Sequence, residues 1–357
     1  MMEFDTYLKQ IKPIEKEKFD GPKAYWDLRT HPVGSLGELE TMSIRLGAIQ
    51  DRTIPVLEKK SIVVMCADNG VVREDVTSSP QVFTQMLANA MARGETAVSV
   101  LSRHVGSNLV VVDIGMTDTI PREDNIVSAS VRKGTGDIAV EDAMSREEAV
   151  QAIETGIRIA EDEIKKGAQI LGTGELGIGN TTTSSAVLAA LTKADIRDCV
   201  GYGAGITDAQ LEKKRAVVSK AIARIGEEAD VVDVLKTVGG LDIAGLVGVF
   251  LAGAAGGIPV VVDGLISGAA ALAAVTLKPE VGDYLFPSHR SAENSAKVFY
   301  RASDLRPPLD LFMRLGEGSG CPLFFQLLEA AIACMDGMGS IEDNAIDPSL
   351  LVSLRED

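Results

Sequence analysis

Histidine, cysteine and positive charge are all in short supply in this chain of 357 residues, and each scarcity argues against a class of function. Its three histidines, His31, His104 and His289, stand at no metal-ligand spacing, which argues against a histidine-built metal centre. Its four cysteines, Cys66, Cys199, Cys321 and Cys334, form no C-x-x-C pair. The start, MMEFDTYLKQIKPIEKEKFD, is charged and amphipathic and does not read as a secretory signal, so reduced thiols in a cytoplasmic protein are expected. Lysine and arginine total 35 against 51 aspartates and glutamates, a formal charge of −16. That balance argues against a nucleic-acid partner and against an anionic membrane surface. A small anionic substrate is still allowed, because backbone dipoles act locally whatever the global sign. Uncharged runs are also few: 243–262 goes twenty residues without a charge, long enough to span a bilayer. It has no aromatic belt or basic flank, and Gly256-Gly257 before Ile258-Pro259 would break a spanning helix. A buried helix, a turn and a buried strand are expected there, and no membrane span.

What the chain does have is a 46% hydrophobic content, enough for one large α/β domain or two smaller ones, and glycine in clusters. The stretch 168–190, AQILGTGELGIGNTTTSSAVLAA, organises the rest. Ile170 and Leu171 form a short apolar run, and Gly172, Gly174, Gly177 and Gly179 then follow within eight residues. Asn180 and five consecutive hydroxyls, Thr181 to Ser185, open an alanine-rich helix. Glycine lets a backbone approach a ligand and adopt positive φ. The first helical N–H groups and the macrodipole favour an anion, and the hydroxyls can cap the helix and donate to phosphate oxygens. Glu175, an acid inside this anion cradle, is expected to handle a sugar hydroxyl or a heterocycle. The loop lacks the Lys-Ser/Thr pair of a Walker A motif. Gly172, Gly174 and Gly177 match G-x-G-x-x-G, but a dinucleotide site also needs a second strand ending in an acid about 20 residues on. Asp195 and Asp198 lie near that spacing, in a stretch too charged for a buried strand. A plain glycine turn with a well-capped helix is the alternative.

Strands are further expected over 61–67, 108–112, 126–131, 259–262, 281–286 and 311–315. Helices are expected over 38–49, 81–102, 145–166, 207–225, 241–255, 265–277 and 288–301. The alternation predicts an α/β fold, a mostly parallel sheet with helices on both faces. Ligands of such sheets bind outside the carboxyl ends of the strands. Asp68, Asp113 and Asp263 fall at such ends and read equally well as caps of the helices that follow. Glu175 and Glu317 do not, because each is an acid set among glycines. Glu317, in GEGSG before the apolar Leu323-Phe324-Phe325, has the surroundings of a carboxylate with a raised pKa, suited to general-base work. Ser78 through Gln85 forms a loop running into a helix, with side chains able to bond a planar heterocycle. Gly201 to Gly205 is a second glycine loop, followed by Lys213, which could pair with phosphate or simply belong to a solvated Lys213-Lys214-Arg215 face. Ser288-His289-Arg290-Ser291 opens the last of these helices and could cap it or hold phosphate.

Together GTGELGIGNTTTSSA, GYGAGI, PVVVDGLISGAAAL, SHRSAE and RLGEGSG resemble, in order, the nicotinate-nucleotide–dimethylbenzimidazole phosphoribosyltransferase family of cobamide biosynthesis. The resemblance runs from about Gly34 to Asp336. It implies a Rossmann-like parallel sheet in a catalytic domain over 51–322, with a small helical domain built from 1–50 and 323–357, and a homodimer. It implies transfer of the 5-phosphoribosyl group from nicotinate mononucleotide to 5,6-dimethylbenzimidazole or a related base, with no metal and no cofactor. Glu317 matches the family's general base and Glu175 its second acid. Gly177, Gly203, Lys213 and Ser291 match positions near ribose or phosphate, with Asn180 and Thr181 at the helix start beside them. Ser78, Gln85 and Leu315 match the lining of the base pocket. Two departures lie near that pocket: Asp68-Asn69-Gly70 where many relatives carry Asp-His-Gly, and no aromatic residue within 76–81. They lead to the expectation of a permissive base pocket. A non-catalytic nucleotide-binding module would have no need for Glu317, and a nicotinamide-dependent dehydrogenase would need the missing strand acid.

Overall fold

The computed structural model describes residues 4–347 and 352–355; residues 1–3, 348–351 and 356–357, at the outer ends of the two terminal stretches, lie outside the described residues. Valine- and isoleucine-rich runs become β1 (Lys60–Ala67), β2 (Asn108–Gly115), β3 (Val127–Ser128), β4 (Ile170–Leu176), β5 (Val260–Val262) and β6 (Leu285–Pro287). All pair in parallel, in the order β3-β2-β1-β4-β5-β6. This is the Rossmann-like order, and the chain reverses direction across the sheet between β1 and β4. Helices cover both faces, so the strands are apolar on both sides. Val63, Met65 and Ala67 of β1 enter one core, while Ile62, Val64 and Cys66 enter the other.

The first core is closed by the helices Arg146–Lys165, Asn180–Thr192, Leu241–Ala255 and Leu265–Leu277. Leu241–Ala255 is buried from Leu241 to Ala254, which its lack of charged residues after Asp242 permits. Glycine lets it cross Arg146–Lys165 closely: a Cβ on Gly156 would lie 1.8 Å from the Gly245 carbonyl oxygen, and one on Gly248 2.0 Å from that of Ile153. The run 243–262 is therefore helix, turn and β5, as expected, and among the described residues no helix is long and apolar enough to cross a membrane. Capping boxes start two of the expected helices, Ser145 with Glu148 and Thr207 with Gln210. The second core takes Glu38–Gln50, Phe83–Ala92 and Gly320–Gly337. Backbone bonds join the terminal stretches, Thr30 N–H to the Gly339 carbonyl at 3.0 Å and Ile341 N–H to that of Leu28 at 2.9 Å. Arg355 pairs with Asp27 and Glu40.

Four expectations change. The helix over 81–102 is two, Phe83–Ala92 and Ala97–His104, parted at Gly94 with φ +83°. The strand over 281–286 is a 3-10 turn, Pro279–Tyr284, running into β6. The strand over 311–315 is irregular and the helix over 288–301 starts only at Ala296, for one shared reason. The two segments bond each other, Arg290 N–H to the Leu309 carbonyl at 2.7 Å and Ala292 N–H to that of Met313 at 2.8 Å, which spends the amides a helix would use.

Candidate active site

At the reversal point the carboxyl ends of β1 and β4 lie side by side, Met65 opposite Glu175 and Cys66 opposite Leu176. Glu175 is the second-last residue of β4 and not part of a loop, and Gly172 and Gly174 are strand residues too. They face the second core, where a Cβ on Gly172 would lie 2.8 Å from Cys321 Cβ and one on Gly174 2.6 Å from the Glu317 carbonyl oxygen. These glycines therefore make room for the GEGSG loop and the start of helix Gly320–Gly337. Among the four central glycines only Gly179, at +96°, has positive φ. The dinucleotide reading falls with this geometry, and Asp195 caps a short helix, Ile196–Cys199, that contains Asp198.

Acids converge here. Burial pushes Glu175 up to about 8, with Asp242 and Asp263 adding like-charge repulsion. Asp242, fully buried on helix Leu241–Ala255, is pushed up to about 7 by burial, against the Ile243 N–H and Asn180 hydrogen bonds that favour its ionised form. Asn180 Nδ2 bridges the two acids, donating to Glu175 Oε2 and, at 3.3 Å, to Asp242 Oδ2. Half-buried Glu317 is pushed up to about 7, by burial first and Asp263 second. Its backbone is left-handed, φ +61°, between Gly316 at +80° and Gly318 at +82°. For a non-glycine residue that costs about 1–3 kcal/mol and is a feature concentrated at functional sites. A Cβ on Gly316 would lie 2.6 Å from Glu175 Oε1, so the turn that carries Glu317 closes directly against Glu175. Among the described residues no group of three or more His, Cys, Asp or Glu is placed to hold a metal ion.

Beside the acids lies a surface suited to an anion. Helix Asn180–Thr192 starts after Gly179 with no side-chain cap. The expected hydroxyl cap is absent because Thr182 to Ser185 turn inward; Thr183 Oγ1 donates to the Asn180 carbonyl and Ser185 Oγ to that of Thr181. Thr181 alone of the five hydroxyl residues stays half-exposed. Gly203, φ +56°, closes over it, since a Cβ there would lie 2.9 Å from Thr181 Oγ1 and 3.5 Å from Lys214 Nζ. Lys213 points to solvent, and the lysine at the site is Lys214. Adjacent helical residues point about 100° apart, and Leu211, Lys214, Val217, Val218 and Ala221 form the buried stripe. Burial lowers Lys214 to about 8, with Glu293 opposing the shift. Gly203, Glu293, Arg314 and Leu315 line a cavity of about 570 Å³, ample for a nucleotide. Ser291 sits nearby in the irregular stretch 288–295, its Oγ accepting from the Glu293 N–H at 3.3 Å.

The expected base-pocket residues diverge. Ser78 is exposed, its Oγ donating to the Ala204 carbonyl at 3.3 Å, and with Gly177, Asn180 and Thr181 it lines a narrow cavity of about 80 Å³. Leu315 is exposed at the larger cavity's rim. Gln85 is buried, and its polar atoms bond a neighbouring loop: Oε1 accepts from Thr119 N–H and Oγ1 and from Ile120 N–H, and Nε2 donates to the Ile120 carbonyl. It holds that loop through Oε1 and one Nε2 N–H, which leaves one N–H donor of the amide. Asn69 is also buried, accepting from Thr183 Oγ1 at 3.3 Å, with its side chain 3.0 Å from a Cβ on Gly177. That departure therefore packs beneath the glycine turn and lines neither cavity.

The cap reading of the strand-end aspartates also fails. Asp68 accepts from Thr117 N–H and Oγ1, Asp113 pairs with Arg122, and Asp263 accepts from Gly318 and Gly320 N–H. Each ties a neighbouring loop to the sheet. Sequence reasoning did not single out Asp242 or Lys214. The signal for Lys214 was present in the apolar stripe it interrupts; for Asp242 it was the single charge opening a long apolar helix.

A family model described as phosphoribosyltransferase matches residues 11–346. The chain is 45% identical over 347 residues to a nicotinate-nucleotide–dimethylbenzimidazole phosphoribosyltransferase of Acetivibrio thermocellus, covering 97% of this chain and 98% of that one. It is 43% identical over 340 residues to a protein of the same name from Chloroflexus aggregans, covering 95% and 96%. The crystal structure of CobT from Thermus thermophilus superposes with a TM-score of 0.89 at 35% identity, over 93% of this chain and 99% of that chain.

Proposed function

The chain belongs to the phosphoribosyltransferase family that its relatives define, and from that premise we infer that it moves the 5-phosphoribosyl group from nicotinate mononucleotide to dimethylbenzimidazole or a related base, with Glu317 as general base. The bond from the anomeric carbon to the pyridinium nitrogen breaks, and its electron pair neutralises the departing nicotinate ring, so no acid is needed there. An imidazole nitrogen of the base bonds that carbon, an α-ribotide forms, and the proton on the other ring nitrogen passes to Glu317. The observation that carries the reading is the seating of Glu317, half-buried on a left-handed turn opposite Glu175. A carboxylate pushed up to about 7 suits proton acceptance near neutral pH. Glu175 and Asp242, held by Asn180, form an electronegative floor suited to a ribosyl carbon gaining positive charge. The phosphate goes to the uncapped start of helix Asn180–Thr192 under Gly203, with Thr181 and Lys214 beneath and Gly177 and Ser291 beside it. The base goes between Ser78, Leu315 and Glu317.

The same reading makes 1–50 with 323–357 one helical unit set against the sheet of 51–322, which the backbone bonds between the terminal stretches support. It also makes the enzyme a cytoplasmic homodimer, testable by sedimentation. Glu317→Gln tests the base: turnover is expected to fall about 10²- to 10⁴-fold, read as base-dependent release of nicotinate, while calorimetric binding of the mononucleotide persists. Turnover near wild type with dimethylbenzimidazole would remove Glu317 from the role. Run over a panel, the same assay is expected to place benzimidazoles differing by a methyl or hydroxyl within about 200-fold of one another, the range a methylene-sized difference spans, with purines poorer and phenols poorest.

A further inference from the structure

The catalytic turn is held from behind by one carboxylate. At the carboxyl end of β5, buried Asp263 accepts the Gly318 N–H on Oδ2 at 3.0 Å and the Gly320 N–H on Oδ1 at 2.7 Å. These donors bracket the turn on its far side, immediately after Glu317. On the near side the turn packs directly on β4, where a Cβ on Gly174 would lie 2.6 Å from the Glu317 carbonyl oxygen. Behind Asp263, His289 Nδ1 lies 3.9 Å from Oδ1, and Ser288 Oγ donates to the Asp263 carbonyl at 3.0 Å. Both carboxylate oxygens thus meet an N–H, an arrangement an ionised acid satisfies and an amide does not, since its NH₂ would face one of the donors.

We propose that Asp263 is a positioning residue for the transfer: it clamps the left-handed stretch 316–318 onto the end of β5 and so aims Glu317 at the reacting base. The proposal rests on the reading of Glu317 as general base. Strand β5 supplies the anchor because it neighbours β4, which carries Glu175, so the clamp sets the spacing between the two acids. Burial raises the Asp263 carboxyl, while His289 and the Gly320 and Gly318 N–H bonds favour its ionised form, and in that form it opposes ionisation of Glu317. Among the described residues, Glu175 and the buried thiol of Cys66 also feel the charge of Glu317, and His289 faces Asp263 from behind.

Asp263→Asn keeps the shape, sets an NH₂ against one loop N–H and removes the charge. The expected result is a kcat about 100-fold lower, the cost of misplacing a reacting group by roughly 1 Å, with KM for nicotinate mononucleotide within about threefold. The acidic limb of the kcat–pH profile should also move to lower pH, because a neutral neighbour no longer opposes ionisation of Glu317. Gly320→Ala provides the second arm. Its methyl would lie 2.3 Å from His289 Nδ1 and 2.7 Å from Asp263 Oδ1, displacing the loop with the charge retained, so kcat should fall without the acidic shift. An Asp263→Asn enzyme with kcat within twofold of wild type, or with an unmoved limb, overturns the proposal. Glu317→Gln run beside it separates the two readings: if that variant stays active the base assignment fails, and if it is inactive while Asp263→Asn is normal only the clamp fails. Should either clamp variant not fold, hydrogen exchange on the wild-type enzyme decides. The Gly318 and Gly320 amides should exchange as slowly as that of Val261 in β5, and fast exchange at both refutes the clamp.

Discussion

Lys214 Nζ donates to Thr181 Oγ1 at 2.8 Å and to the Gly201 carbonyl at 3.3 Å, which spends two of the three N–H donors of an ammonium held almost wholly out of water. A buried cation with so few partners gains from an anionic ligand, and the proposed phosphate site adjoins it. Lys214→Met should therefore weaken binding of nicotinate mononucleotide about 10-fold or more, since a hydrogen bond to a charged group is worth about 1.5–3 kcal/mol. Lys213→Ala, on the solvent side of the same helix, should leave the affinity unchanged. Titration calorimetry on both variants checks the pair, and equal affinities would remove Lys214 from the site. Glu317 shows the same dependence on placement: its proposed role follows from its burial and its left-handed backbone, and the carboxyl group alone would not supply it.

Helices Leu241–Ala255 and Arg146–Lys165 approach each other backbone to backbone, which brings Asp242, at the start of the former, up beneath Glu175 and Asn180. Gly248→Ala tests how tightly that crossing is set. Alanine gains about 0.8–1.0 kcal/mol of helix propensity, but its methyl would lie 2.0 Å from the Ile153 carbonyl oxygen, a clash with backbone that no side-chain rotation relieves. A net loss of about 1–3 kcal/mol is expected, within the range of overpacked cores. It should appear as a lower denaturant midpoint at unchanged m-value. Gly226→Ala, where a new Cβ meets nothing within 4 Å, should stay near wild type. The short strands β5 and β6 are positioned in the same way, less by their own three residues each than by the helices and loops packed on them.

Across the whole molecule, the buried acids couple stability to pH. Glu175 is raised to about 8, and Asp242 and Glu317 to about 7. Unfolded, each would release its proton near pH 4. Between about pH 4 and 8 the folded chain therefore holds more protons than the unfolded one, and stability falls as pH rises through that window. Paired acids held below their usual range, such as Glu40 and Glu163, act in the opposite sense, losing their contribution as pH falls through their lowered values. The ligand-free protein should thus melt at a lower temperature at pH 8 than at pH 5.5. Glu175→Gln should flatten that slope, and scanning calorimetry at the two values checks both statements. A slope of the opposite sign would mean that these carboxyls are ionised in the folded protein.

The α/β class, the parallel alternation and the helix–turn–strand reading of 243–262 were determined by the sequence alone, because periodicity is a local property of contiguous residues. Glu175 and Glu317 were equally legible, as acids among glycines. The purpose of Gly172 and Gly174, the choice of Lys214 over Lys213, the internal bonding of Gln85 and Asn69, and the tying of Asp68, Asp113 and Asp263 to neighbouring loops were decided only by the tertiary structure. Each depends on which segment lies against which, and sheet order sets that by bringing distant stretches together. Gly174 and Glu317 meet because β4 and β5 are neighbours and the GEGSG loop is clamped across their ends. A residue's chemistry can be read from its type, but its partner is settled by packing, where a single methyl or one turn of a helix changes which group reaches the site.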